Sequence, residues 1–195
     1  MMIDVFDEFA YNGPYILTIF VAIHFIISGQ WPFFIVFILG FWINIYFNEF
    51  LKSMIREPRP KPLDLDLAKL RDYLFIFRKQ LGATDIKAHI WGMPSGHAQM
   101  GSFALMFFYL VNVPRGLDMG LIEGATLAGM CLLFMVTLYQ RWETNSHSIL
   151  QLLAGTIVGG LFAVVLFFGT KWWLMNFREL GAAYSDASKK SACNI

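Results

Sequence analysis

The stretch ILQLLAGTIVGGLFAVVLFFGTKWWL, Ile149 to Leu174, holds one formal charge, Lys171, in twenty-six residues. As an α-helix it would be about 39 Å long, more than the ~30 Å hydrocarbon core of a bilayer, so it is predicted to span one. Working back along the chain, four more apolar runs stand out: Met119 to Tyr139, Ala98 to Val113, Trp31 to Phe50 and Tyr15 to Ser28. The runs starting at Tyr15 and Ala98 fall short of the roughly 20 residues a span needs and must borrow flanking Tyr, Asn, His or Gln. Composition agrees with the runs. The 195 residues are 57% hydrophobic, 17% aromatic and only 15% charged, with a mean hydropathy of +0.55, whereas a soluble domain carries about a quarter charged residues. The predicted fold class is all-α, a polytopic membrane helix bundle with about five transmembrane helices. Asp4, Asp7 and Glu8, rather than basic residues, precede the first run, so it is read as a retained membrane helix and not a removable signal.

The one long polar stretch, Lys52 to Trp91, opens with Glu57-Pro58-Arg59-Pro60-Lys61-Pro62. These prolines forbid the preceding helix from continuing. Beyond them Leu67, Leu70, Leu74, Phe77 and Leu81 step by three and four after Asp64 or Asp66, and Gly82 follows. That pattern predicts an amphipathic helix lying at the bilayer interface. Residues 1–177 are expected to form one integral membrane domain, and 178–195 a polar, disordered tail. A net charge of +1 gives no general attraction to nucleic acid. Cys131 lies in an apolar run and Cys193 in the tail, so no structural disulfide is expected.

The remaining polar residues are few, and their placement is informative. Lys52 and Arg59 follow the second run, His97 begins the third, Arg141 ends the fourth and His147 begins the fifth. If all five runs span, these residues share one membrane face. Their chemistry suits an anion: guanidinium groups grip phosphate oxygens bidentately and an ammonium acts as a point charge. Pro94-Ser95-Gly96-His97 immediately precedes a helix, where free N–H groups and a glycine let an anion approach the backbone. Two histidines allow phosphoryl transfer without a metal or other cofactor, one attacking phosphorus while the other protonates the leaving oxygen and later activates water.

In these three clusters the chain resembles the type 2 phosphatidic acid phosphatase superfamily of membrane lipid phosphatases. The family pattern is Lys, six residues, Arg-Pro; Pro-Ser-Gly-His; and Ser-Arg, five residues, His, three residues, Asp. Here Lys52 with Arg59-Pro60 and Pro94-Ser95-Gly96-His97 match fully, and Gln140-Arg141, His147 and Gln151 match in part. The resemblance implies that His147 is the nucleophile, His97 the general acid, and that Lys52, Arg59, Ser95, Gly96 and Arg141 bind the phosphate. Gln151 stands where the family has Asp. Its carbonyl can orient His147 but brings no negative charge. Glu57-Pro58-Arg59-Pro60, Gly92-Met93-Pro94-Ser95 and Gln151 are similar to the dolichyl diphosphatase branch, although Gly96 and Gln140 replace serines there. That similarity implies a polyprenyl diphosphate substrate and an endoplasmic reticulum membrane with a lumenal site.

Other readings stay open: phosphatidate or another lipid monophosphate as substrate, or a lipid-binding scaffold in which Gln151 has weakened turnover. Arg56, Lys61 and Arg78 are read as membrane-flanking anchors, and His24 as a structural histidine. His89 and Trp91 are candidates for the rim of the site, Glu143 and Asn145 for its lining or for a solvated turn. Ala154, Gly155, Gly159 and Gly160 are expected to pack helices closely. Ten Lys and Arg (Lys52, Arg56, Arg59, Lys61, Lys69, Arg71, Arg78, Lys79, Lys87, Arg141) fall on the site side and five (Arg115, Lys171, Arg178, Lys189, Lys190) on the other. Taken alone this would put the site in the cytoplasm, against the lumenal expectation from the resemblance. Oligomeric state has no signal in these residues.

Overall fold

Helix α1 (Met2–Ile27) and helix α2 (Trp31–Ile55) are joined by three residues. The turn works because Gly29 adopts a left-handed conformation (φ 68°), which lets the Gln30 N–H reach Phe25 O (2.9 Å) and the Gly29 N–H reach Ile26 O (3.1 Å). These two bonds close α1 in a Schellman arrangement, and Pro32, near the start of α2, needs no helical hydrogen bond there. The structure, a computed structural model, describes residues 2–61, 91–112 and 121–192, with side chains over 7–61, 91–112 and 121–177. Within these, α3 (Gly96–Asn112), α4 (Leu121–Glu143) and α5 (Ile149–Ala192) complete an all-helical bundle. The amphipathic helix expected after Pro62 lies outside the described residues.

Among the described residues, four segments are long and apolar enough to cross a membrane: Asp7–Ile27, Trp31–Ile55, Leu121–Glu143 and Ile149–Phe177. Their outer faces explain why water is the wrong solvent. On α2, Ile35, Leu39, Trp42, Ile43, Tyr46 and Phe50 are all exposed, a continuous apolar surface that only hydrocarbon accommodates. The first span is longer than its apolar run because α1 continues through Pro14, with Ala10, Gly13 and Pro14 buried.

Helix α3 resolves the short third run differently. Its 17 residues reach about 25 Å, less than a full hydrocarbon core, but α3 is the central helix and packs against all four others. Only Met106 and Tyr109 of α3 are exposed, so it is not held to the hydropathy of an outer span. Phe103 stacks on Phe37 at 5.4 Å between ring centroids and 4° between planes, and Phe25, Phe107, Phe108, Phe134 and Phe167 extend that core. Toward the start of α3 the interior turns polar. Gln99 Nε2 donates to Asn44 Oδ1 (2.7 Å), and Asn48 Nδ2 donates to Gln99 Oε1 (2.8 Å) and Pro94 O (3.2 Å). The buried stripe of α2 follows the same gradient, from Phe37 and Gly40 through Asn44 and Asn48 to Lys52.

Contact between α3 and α5 depends on two glycines. A Cβ on Gly155 would lie 2.5 Å from Ser95 O, and one on Gly159 would collide with Gln99 O. Among the described residues nothing lies within 4 Å of a Cβ added at Gly160, so the close packing expected of the small-residue series belongs to Gly155 and Gly159. Beyond Leu174, α5 stays helical to Ala192, where the polar composition predicts a disordered tail. Ala182, Ala183, Ala187 and Ala192 are strong helix formers, so polarity alone does not end the helix.

Candidate active site

Four helix ends meet on one face of the bundle. The C-termini of α2 and α4 carry Lys52 and Arg141 in their last turns, cations placed where helix dipoles favour them. The N-termini of α3 and α5 face the same region, with His97 in the first turn of α3 and His147 two residues before α5. Arg59 reaches it from the proline-rich segment: Arg59, Arg141 and Lys52 all act electrostatically on His147, and the same cations and the His147 ring act on His97. Residues separated by up to 95 positions thus form one electropositive cluster.

Each cation is held differently. Helix α2 stops when Arg56 turns left-handed (φ 54°) with its N–H on Lys52 O, which leaves Lys52 in the final turn, buried and 3.2 Å from Glu49 Oε1. Arg141 is also buried, with Nη2 3.4 Å from His97 Nε2 and its guanidinium 4.6 Å from the Tyr11 ring centroid. Arg59 Nε is buried without a hydrogen-bond partner among the described residues, a donor suited to an incoming anion. Burial pushes the Arg59 pKa down from its ordinary value, and Tyr11 and Glu49 oppose the shift.

Ser95 occupies the N-cap position of α3. Its hydroxyl lies 3.5 Å from the Ala98 N–H, its carbonyl accepts from Gln99 N (3.0 Å), and its own N–H donates to Gln151 O (3.0 Å). Gly96 leaves room for its neighbours, since an added Cβ would lie 3.1 Å from Asn48 Oδ1 and 3.8 Å from Lys52 Nζ. Gln140 is buried, with Oε1 3.5 Å from Arg141 Nη1.

Gln151 has every hydrogen-bonding position of its amide engaged. Ser148 and Gln151 form a capping box at the start of α5: Gln151 N donates to Ser148 Oγ (3.2 Å) and Ser148 N donates to Gln151 Oε1 (3.3 Å). On the other side, Gln151 Nε2 donates to Pro58 O (2.9 Å) and Glu57 Oε1 (2.9 Å). A backbone N–H can only donate and a backbone carbonyl can only accept, so these two contacts fix which way the amide points. His147 Nδ1, 3.2 Å from Gln151 Oε1, must therefore carry the proton. The Nε2 lone pair is left available.

His147 is 2% exposed, and its pKa is lowered to about 2 by burial and then by Arg59, Arg141 and Lys52, with the Gln151 hydrogen bond opposing. The ring is neutral at physiological pH, as a nitrogen nucleophile requires. The shift also has a consequence for stability. Below the unfolded value of 6.5 the unfolded chain takes up a proton that the folded ring refuses, so stability falls as pH drops from 6.5 toward 2, by up to about 1.4 kcal/mol per pH unit. His147→Gln removes that group, so its melting temperature in detergent should fall less between pH 7.5 and 5 than that of the wild type. Equal falls would contradict a ring buried in the neutral form.

Three contributors were not assigned roles from sequence. Glu57 was visible only as part of a proline-rich motif. Tyr11, whose ring lies 4.8 Å from His97, comes from ahead of the first apolar run and is brought in because Gly13 lets α1 approach Thr137 of α4. Gly92 is required because a Cβ there would lie 2.5 Å from Gln151 Oε1. Of the rim candidates, Trp91 pairs with Pro58 in an isolated antiparallel bridge, and His89 lies outside the described residues. Glu143 and Asn145 are exposed. Asn145 forms the turn (φ 53°), and its carbonyl accepts from Lys61 N (3.1 Å). His24 contacts Asn112 Oδ1 at 3.0 Å, near the opposite end of α3.

A family model described as the PAP2 superfamily matches residues 31–175. No curated protein and no solved structure matches the chain. The matched stretch covers about three quarters of the sequence; it includes both histidines, all three cations and Gln151, and excludes Tyr11. The chain belongs to the PAP2 superfamily, whose members are phosphatases, and its long apolar helices make it an integral membrane protein.

Proposed function

We propose that this protein is a metal-independent lipid phosphatase that hydrolyses a polyprenyl, dolichyl-type diphosphate to the monophosphate and inorganic phosphate, through a phosphohistidine at His147. The observation that carries the reading is the fixed tautomer of His147, which leaves the Nε2 lone pair available on a ring that Arg59, Arg141 and Lys52 act on electrostatically. Those cations, with backbone N–H groups at the start of α3, would hold the phosphate oxygens. His147 Nε2 attacks the terminal phosphorus and the N–P bond forms as the P–O bond breaks; His97, whose Nε2 accepts from Arg141 before substrate binds, takes up a proton with the anionic phosphate and gives it to the leaving oxygen. His97 then takes a proton from water, which attacks the phosphohistidine and releases inorganic phosphate.

The diphosphate reading draws on three sequence features of one branch, Glu57, Gly92 and Gln151, that here pack as a unit. Gln151 Nε2 donates to Glu57, the Gly92 N–H donates to Glu57 O (2.7 Å), and Gly92 lies against the Gln151 side chain. The same similarity supports an endoplasmic reticulum location with the site facing the lumen.

Leaving-group chemistry separates diphosphate from monoester. Cleaving a diphosphate releases a phosphate monoester whose second pKa is about 6, whereas phosphatidate must release a far more basic alkoxide. In detergent with chelator present, phosphate release from polyprenyl diphosphate should exceed release from phosphatidate. His97→Ala should slow the burst with phosphatidate by about 10²–10⁴-fold and the burst with diphosphate by clearly less. Faster turnover of phosphatidate would favour the monoester reading, and loss of activity in chelator would overturn metal independence. No release from any lipid phosphate by folded protein would favour the scaffold.

A further inference from the structure

We infer that Glu57 is a positioning residue that supports His147 electrostatically through the Gln151 amide. The inference rests on the proposed nucleophilic role of His147. The chain of contacts is continuous: His147 Nδ1–H donates to Gln151 Oε1 (3.2 Å), and Gln151 Nε2–H donates to Glu57 Oε1 (2.9 Å). Ser148 N–H and Pro58 O hold the amide between them, so it cannot turn over and break the series. Glu57 is itself anchored through its carbonyl, which accepts from Gly92 N, and the adjoining Pro58 pairs with Trp91.

Charge balance gives the arrangement its purpose. As the N–P bond forms at Nε2, the ring keeps its Nδ1 proton and becomes cationic in the field of Arg59, Arg141 and Lys52. A neutral amide orients that ring but does little to offset the charge. A carboxylate hydrogen-bonded to the far side of the amide polarises its carbonyl toward Nδ1–H, and hydrogen bonds in series strengthen one another. No proton crosses the amide: Nδ1–H stays in place, the electron pair of the breaking P–O bond goes to the leaving oxygen, and that oxygen is protonated by His97. Negative charge thus lies one side chain further from the nucleophile than in the Asp pattern.

The test uses Glu57→Gln, which keeps an acceptor oxygen and removes the charge. With polyprenyl diphosphate, the variant should lose about 10–100-fold in the burst rate and kcat, with KM little changed. Adding Gln151→Asp, which places a carboxylate beside His147, should recover much of that loss. An unchanged kcat, or a double variant no faster than Glu57→Gln, would overturn the inference. A second readout needs no turnover: in ¹⁵N-histidine spectra the His147 Nδ1 proton should move upfield in Glu57→Gln. No shift would overturn the relay even if the enzyme is active. A shift in a protein that releases no phosphate would uphold the relay and refute the function on which it was built.

Discussion

His147→Ala should reduce phosphate release by on the order of 10⁴-fold or more while the bundle remains folded. Truncation removes the proposed nucleophilic nitrogen, and a guanidinium or an ammonium has no lone pair with which to replace it. The fold should survive because His147 lies in the turn between α4 and α5, and that turn is held by backbone bonds, Ser146 N and His147 N to Arg141 O and Thr144 N to Gln140 O. Ser148 would still cap α5. The variant should therefore elute and melt like wild type at neutral pH in detergent. A variant that retained turnover within tenfold would show that His147 is not the nucleophile.

Gly159→Leu should be the most damaging single change to the fold. The first added carbon already meets the Gln99 carbonyl and the Ser102 side chain, and backbone cannot move aside as a rotamer can. Overpacking of this kind costs about 1–3 kcal/mol or more, and here it also separates α5 from the helix that carries His97. Gly160→Leu, one residue on, has open space and serves as the matched control. Loss of folded protein for position 159 alone is the expected result. Equal behaviour of the two variants would contradict the close α3–α5 contact.

The bundle was legible in the sequence because lipid-facing helices declare themselves by continuous apolar runs, and the prolines after Ile55 mark where α2 must stop. The short third run was legible only in part. Burial of all but Met106 and Tyr109 and a few half-buried positions frees α3 from the length and hydropathy of an outer helix, and a count of apolar residues cannot see its neighbours. In the site, the motifs pointed to Lys52, Arg59, His97, Arg141 and His147, and the helix order placed them on one face. Gln151 could be read as an acceptor for His147 because it stands where the family pattern has Asp. Its other hydrogen-bonding half could not be, because Glu57 is 94 residues away and no periodicity links a loop to a helix start. Tyr11 escaped for a similar reason: its approach depends on Gly13 fitting against Thr137, a matter of shape between α1 and α4.

Trapping the covalent intermediate tests the central claim most directly. Polyprenyl diphosphate labelled in its terminal phosphate is mixed with the His97→Ala variant, which lacks the proposed water-activating base. The reaction is quenched in alkali, where a phosphorus–nitrogen bond survives, and the label is located by mass spectrometry. One phosphoryl group on His147 is the predicted result. Phosphate release with no labelled histidine, or label on a different residue, would contradict it.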